Sequence, residues 1–232
     1  MKVVILAGGL GTRISEYTKL IPKPMIKVCG KPIIQRIIDY YLKYGHTEFY
    51  VALGYKGSII KEYFKKIRLS KKIKINLIET GKNTMTGGRL KRLKKFLNEP
   101  FLLTYGDGLS DVNLNKLINF HKRNKKLITL TAVRPPARFG AIDIKGKIVK
   151  YFREKNLLDT GWINGGFFVI QPEFIDLIKN DKTFLEQEPF QIATKKRQLL
   201  AYKHKGFWQC MDTLRDKEIL EKKIKENKNI DC

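Results

Sequence analysis

Histidine and cysteine are scarce in this 232-residue chain, three of each. Cys29, Cys210 and Cys232 are odd in number, far apart and without a C-x-x-C pair. Neither a disulfide framework nor a zinc knuckle is expected, and the three read as reduced thiols of a cytoplasmic protein. His46, His121 and His204 form no nucleophile or metal-ligand pattern, so they are expected to be surface or partly buried structural residues. No run of about 18 apolar residues exists, which excludes a membrane-spanning helix. The N-terminal stretch MKVVILAGG runs straight into a glycine loop without a small-residue cleavage pattern, so it reads as a buried strand and not as a leader. Linkers, repeats and low-complexity segments are also missing, and the length suits one domain spanning 1–232.

Acidic residues are few as well: 22 Asp and Glu against 47 Lys and Arg, a net charge of +25. A chain this basic has to be weighed as a nucleic-acid binder, above all for its basic stretch from Lys56 to Lys95. That alternative predicts steeply salt-dependent binding. The lysines are scattered through every segment, however, and no aromatic-basic motif accompanies them. A solvated surface and an attraction for small anionic substrates are the simpler expectation.

What is present is an alternation of apolar runs and helical spacing, the mark of an α/β fold. Val3 to Ala7, Phe49 to Leu53, Phe101 to Tyr105, Leu127 to Val133 and Trp162 to Ile170 read as strands. Ile73, Ile75 and Leu77 alternate with polar residues, as in a strand with one buried face. Ile34, Ile37, Ile38 and Tyr41 follow Lys31-Pro32 at helical spacing, with Gly45 as the stop. Ile59 to Phe64, Leu90 to Leu97 and Leu114 to Ile118 give further helices. Ala141 to Phe152 around Lys145-Gly146 reads as a hairpin. Thr213 and Asp216 have the spacing of a capping box opening a C-terminal helix.

The loop Gly8-Gly9-Leu10-Gly11-Thr12-Arg13 follows the first strand directly. Glycines there let backbone N–H groups approach phosphate oxygens. It is no dinucleotide fingerprint, since Ile14 stands where the third glycine belongs, and no Gly-Lys-Ser/Thr follows as in a Walker loop. On the loop alone, a phosphate cradle and a plain tight turn remain equally open. Arg13 adds a planar fork suited to phosphate. Lys23, held between Pro22 and Pro24, has restricted backbone freedom, although a solvated loop lysine is the other reading.

The combination GGLGTR…PKPM resembles the sugar nucleotidylyltransferases. The similarity continues through Lys56-Gly57, MTGGRLKR (85–92), YGDG (105–108), WINGGFF (162–168), GFW (206–208) and MDTLRD (211–216). In these narrower motifs it is closest to the branch that uses CTP and glucose 1-phosphate. The resemblance implies a Rossmann-like mixed, mainly parallel sheet flanked by helices, of the nucleotide-diphospho-sugar transferase type, with a small β-hairpin sugar-binding portion. Residues 1–133 would bind mainly nucleotide and 134–212 mainly sugar phosphate, with 213–232 as the terminal helix.

The same resemblance implies a nucleotide site of Leu6, Ala7, Gly8, Gly9, Leu10, Gly11, Thr12, Arg13, Lys23, Thr84, Arg89 and Gly106, with Arg13 and Lys23 as the catalytic pair. It implies a Mg²⁺ held by Asp107 and Asp212, and sugar-phosphate contacts from Glu154, Lys155, Asn164 and Gly165. It also implies a homo-oligomer without nucleic-acid or membrane partners. Read without it, Gly87-Gly88 would serve a helix entry, Asp212 a helix cap and Glu154-Lys155 a solvated hairpin end. Asp107 stands apart, because an acid after an apolar strand lies where ligands of open α/β sheets gather, and Mg²⁺ accepts one or two carboxylates plus phosphates. The chain departs from the family pattern at Asn156 and Cys210, where proline is usual. The Phe64–Glu79 stretch is short and a tryptophan-bearing tail is missing. UTP, dTTP or GTP, or mannose 1-phosphate, therefore stand as alternative substrates.

Overall fold

The computed structural model describes residues 1–135, 141–153 and 161–226. In chain order the strands are β1 (Val3–Ala7), β2 (Lys27–Val28), β3 (Lys31–Pro32), β4 (Glu48–Leu53), β5 (Lys74–Glu79), β6 (Phe101–Tyr105), β7 (Gly108–Ser110), β8 (Ile128–Val133), β9 (Ala141–Lys145), β10 (Ile148–Arg153), β11 (Ile163–Ile170), β12 (Leu199–Lys203) and β13 (Trp208–Cys210). The helices are α1 (Ser15–Thr18), α2 (Ile33–Lys43), α3 (Gly57–Lys66), α4 (Thr86–Arg92), α5 (Leu114–Asn124), α6 (Glu188–Lys195) and α7 (Leu214–Glu226).

Seven strands form the main sheet in the order β12-β8-β11-β6-β1-β4-β5. β1 pairs in parallel with β4 and β6, β4 with β5, and β8 with β12, while β11 runs antiparallel to β6 and β8. The sheet is therefore mixed and mainly parallel. Because β11 inserts between β6 and β8, strands from both halves of the sequence share one sheet.

Alternation along β1 explains why the sheet carries helices on both faces. Val3, Ile5 and Ala7 point into the cluster built with Ile33, Ile37 and Tyr41 of α2 and Leu114 and Leu117 of α5. Val4 and Leu6 point the other way, toward Leu90 of α4, Phe174 and Phe190 of α6. A strand buried on both faces reads as a continuous apolar run, which is how β1 looks in the sequence. Phe49, Phe101, Phe167, Phe168 and Phe174 are fully buried, each worth roughly 1.5–3 kcal/mol.

Local signals place most of the ends. Pro32 sits at the N-cap of α2, one residue before the helix. Gly45, at φ 77°, donates its N–H to Leu42 and ends that helix. Asn113 caps α5 by accepting from the Lys116 amide at 2.9 Å. Thr213 and Asp216 make the expected reciprocal cap of α7, with 2.9 Å from the Thr213 amide to Asp216 and 3.2 Å from the Asp216 amide back to Thr213.

β5 differs from its expected one-sided pattern: it is an edge strand whose inner residues are half-buried on both faces. Two histidines are more deeply placed than expected. His46 and His121 are buried, the latter bonded to Thr129 at 2.9 Å and Gln171 at 3.0 Å. Among the described residues, no helix is long and apolar enough to cross a membrane.

Candidate active site

β1 and β6 are parallel and end side by side, and their C-terminal loops, with residues 82–86 after β5, line a cavity of about 720 Å³. Gly106 extends β6 alongside β1, its amide donating to the Leu6 carbonyl at 3.0 Å. A Cβ there would lie 2.9 Å from that carbonyl oxygen, so glycine is what allows the two strand ends to close up. Gly11 adopts φ 66°, and its carbonyl accepts from the Ile14 amide and the Thr18 hydroxyl, both at 3.1 Å. This folds the loop back toward Lys23, which opens a short 3-10 turn between Pro22 and Pro24.

Asp107 follows β6, and Asp212 follows β13. The antiparallel pairing of β7 with β13 sets Cys210 opposite Gly108, and the Met211 amide donates to the Asp107 carbonyl at 2.9 Å. Two residues far apart in sequence are thereby brought to one point. The Lys23 ammonium donates to Asp107 Oδ2 and to Asp212 Oδ1, each at 2.6 Å. The other oxygen of Asp212 faces Arg13 Nη1 at 2.7 Å. Asp216 steadies Asp212 by accepting its backbone amide at 3.2 Å.

The electrostatics follow from this contact set. Burial works against the Lys23 charge, but Asp107 and Asp212 outweigh it, and its pKa lies above the ordinary lysine value. Burial likewise opposes the Asp212 carboxylate and is outweighed by Lys23 and then Arg13, which hold its pKa below the usual range. Cys210 is pushed up to about 12 by burial and by the charges of Asp212 and Asp107, so it is a neutral thiol. It donates to Asp212 Oδ2 at 3.6 Å.

The cavity is lined by the whole Leu6–Arg13 segment, Lys23, Thr84, Arg89, Gly106, Asp107, Asn164 and Asp212. Gly165 lies just behind, in a small adjoining hollow, where its carbonyl accepts the Trp208 indole N–H at 2.7 Å. Glu154 and Lys155 lie outside the described residues.

Arg89 is held differently from the others. It is 4% exposed, and its guanidinium donates to the carbonyls of Leu53, Gly81 and Gly8 and to the Thr80 hydroxyl at 2.8–3.0 Å. Its reach ties the glycine loop to the ends of β4 and β5. Gly87 and Gly88 also have a packing reason. A Cβ on either would meet backbone atoms of Thr183 or Asp181 at 2.7 Å or less.

Sequence reasoning missed Tyr105, Glu186 and Trp208 on this wall. Tyr105 donates to Glu186, and Asn164 donates to the Tyr105 hydroxyl at 3.2 Å. Thr86 donates to the second Glu186 oxygen at 2.7 Å. Tyr105 stands at a strand end beside Gly106-Asp107, which was a usable signal. Glu186 carries none.

The sequence pattern of the nucleotidyl transferase family matches residues 2–216. The chain belongs to the nucleotidyl transferase family. Among its curated relatives, glucose-1-phosphate cytidylyltransferase of Salmonella typhimurium is 47% identical over 95% of both chains. A probable glucose-1-phosphate cytidylyltransferase of Bacillus subtilis is 40% identical over 93% of both. The Salmonella alignment runs over 243 positions, more than this chain contains, so the relative carries residues missing here. The crystal structure of HddC from Yersinia pseudotuberculosis complexed with GMP-PN superposes with a TM-score of 0.75 at 27% identity, covering 96% of this nucleotidyl transferase and 99% of that chain. Membership implies a nucleotide and a sugar phosphate as substrates, and a divalent metal.

The donor set fits such a metal. Asp107 and Asp212 offer hard oxygen ligands, and their oxygens already converge on one cationic atom, Lys23 Nζ. Among the described residues, no group of three or more acidic, histidine or cysteine side chains could hold an ion. A metal here must complete its shell from substrate oxygens or water, as Mg²⁺ commonly does.

Proposed function

We propose that this nucleotidyl transferase joins the cytidylyl group of CTP to α-D-glucose 1-phosphate, giving CDP-glucose and pyrophosphate with Mg²⁺. The observation that carries the reading is the meeting of Arg13 and Lys23 with Asp107 and Asp212 at the mouth of the glycine loop. The 47% identity to a glucose-1-phosphate cytidylyltransferase supports this choice of nucleotide and sugar.

The chemistry demands charge neutralisation and alignment more than proton abstraction. A phosphate oxygen of the sugar phosphate attacks the α-phosphorus of CTP, the new P–O bond forms, and the bond to the β-phosphate breaks to release pyrophosphate. The nucleophile is already an anion, so no general base is needed. Lys23 and Arg13 provide positive charge against the phosphates, and the Gly8–Gly11 backbone leaves room for close approach. Mg²⁺ held by Asp107 and Asp212 would add Lewis-acid neutralisation of the phosphates. Thr84 and Arg89 shape the base end, and Asn164 and Gly165 the sugar end. The enzyme is further proposed to be cytoplasmic and homo-oligomeric. Ile142, Ile144, Ile148 and Phe152 on the β9–β10 hairpin are more than half exposed, apolar surface that a second copy would cover, and sedimentation would read the assembly.

A panel of CTP, UTP, dTTP and GTP, each with glucose 1-phosphate or mannose 1-phosphate, tests the reading by pyrophosphate release. The highest kcat/KM is expected for CTP with glucose 1-phosphate. Release with no pair, or a guanylyl or uridylyl reaction faster than the cytidylyl one, would overturn it.

A further inference from the structure

Two cations and two anions balance one another at the strand ends. The Lys23 side chain is 10% exposed and touches both carboxylates, whose own side chains are 28% and 17% exposed. Its backbone has little freedom: Pro22 and Pro24 flank it, the Met25 amide donates to Pro22 and the Ile26 amide to Lys23. Asp212 is fixed from behind by Asp216. Any rearrangement must therefore come from the lysine stem, which is long and unbranched.

A divalent cation bound by the same two oxygens, Asp107 Oδ2 and Asp212 Oδ1, would stand where the ammonium now stands. Mg²⁺ holds its ligands at about 2.0–2.1 Å, inside the span that Lys23 Nζ occupies. The two positive centres cannot share that space, and their repulsion at such range is large even with effective protein screening. The neighbouring cavity offers an exit. Arg13 and the glycine loop line it, and a polyphosphate seated there would give the ammonium new anionic partners.

We propose that Lys23 is a tethered stand-in for the metal: in the free protein its ammonium fills the divalent-cation position between Asp107 and Asp212, and it yields that position when nucleotide phosphates draw it away. This rests on the phosphate-binding reading of the site given above. Bare divalent ions then bind the free enzyme poorly, and metal enters with the nucleotide.

The test is Mn²⁺ binding without nucleotide, followed by loss of the free-ion electron paramagnetic resonance signal. Wild type is expected to bind weakly. Lys23→Met should bind at least about tenfold tighter, because the competing charge is gone. Lys23→Gln keeps an N–H donor for one carboxylate and should show the same gain, so it carries the test if Lys23→Met does not fold. Adding Asp107→Asn to either variant should abolish the gain. Lys65→Met, which removes an exposed lysine paired with Glu62 at 2.8 Å, should leave binding at the wild-type level.

Lys23 variants that bind Mn²⁺ no tighter than wild type would overturn the proposal. So would a gain matched by Lys65→Met, or one that survives Asp107→Asn. No nucleotide is present, so this failure is separate from a failure of the substrate panel.

Discussion

Replacing Gly88 with alanine sets two effects of opposite sign against each other. Gly88 lies within α4, where alanine is favoured over glycine by about 1 kcal/mol. Yet the added methyl would stand 2.4 Å from the Asp181 carbonyl oxygen, 2.5 Å from its Cα and 2.7 Å from its carbonyl carbon. These are backbone atoms and cannot swing aside as a side chain does. Relief requires α4 and the 181–183 segment to part. That strains two bonds joining them, Met85 amide to Asp181 at 2.8 Å and Gly88 amide to Thr183 at 3.2 Å, each worth about 1 kcal/mol.

Overpacking adds about 1–3 kcal/mol more. The clash therefore wins, with a net loss of about 2–4 kcal/mol if both bonds are lost, readable as a lower urea midpoint in tryptophan fluorescence. Gly9 provides the contrast. A Cβ there meets nothing within 4 Å, so Gly9→Ala should hold its midpoint within about 0.5 kcal/mol while raising the KM for nucleotide, since it faces the cavity. A Gly88→Ala protein as stable as its parent would refute the packing role of this glycine.

Lys23→Ala should lower kcat by about 10²–10³, the usual effect of losing one charge-stabilising group; near-normal turnover in a steady-state assay would remove it from the catalytic pair. Cys210, pushed up to about 12, should react with iodoacetamide far more slowly at pH 8 than a free thiol, and mass spectrometry of the labelled peptide reads this directly. His46 is lowered to about 4 by burial and by the N-terminal amine. The unfolded chain then takes up a proton that the folded one refuses, so stability falls as pH drops from 6.5 toward 4. The loss is about 3 kcal/mol at most, and His46→Gln should flatten that limb of a melting-temperature profile. Trp208→Phe removes the 2.7 Å bond to the Gly165 carbonyl and should raise the KM for the sugar phosphate severalfold while leaving that for CTP in place.

The parts of the fold legible in the sequence are those where burial is two-sided or a cap is local. β1, most of β6 and the Phe167–Ile170 half of β11 are apolar runs because neighbours cover both faces. α2, α5 and α7 announce themselves by spacing and capping. β12 was not legible: it is a half-buried edge strand with little alternation to detect. The three-residue β7 and β13 have no periodicity at all. α6 carried a usable signal in Pro189 at its first turn and buried Phe190 and Ala193.

The site divides in the same way. The glycine loop and Lys23 between its prolines were visible as local chemistry. The pairing of Asp212 with Asp107 was an expectation from family likeness, while the contact of Asp212 with Lys23, 189 positions away, comes from the folded chain, because no local rule encodes a contact of that range. Arg89 lines the cavity, but its carbonyl partners on Leu53, Gly81 and Gly8 lie at three separate strand ends, and only the folded chain assembles them.

The narrow ribbon of β7 and β13 has a temporal meaning. A chain still emerging from the ribosome holds its glycine loop, Lys23 and Asp107 well before Asp212 has been made. Until Trp208–Asp212 docks, Gly108–Ser110 has no ribbon partner and the ammonium only one carboxylate. Competence thus waits for the segment that carries Asp212. By the same token, a protease nick at exposed Lys205–Gly206 followed by loss of the tail would silence the molecule while sparing all seven strands of its main sheet.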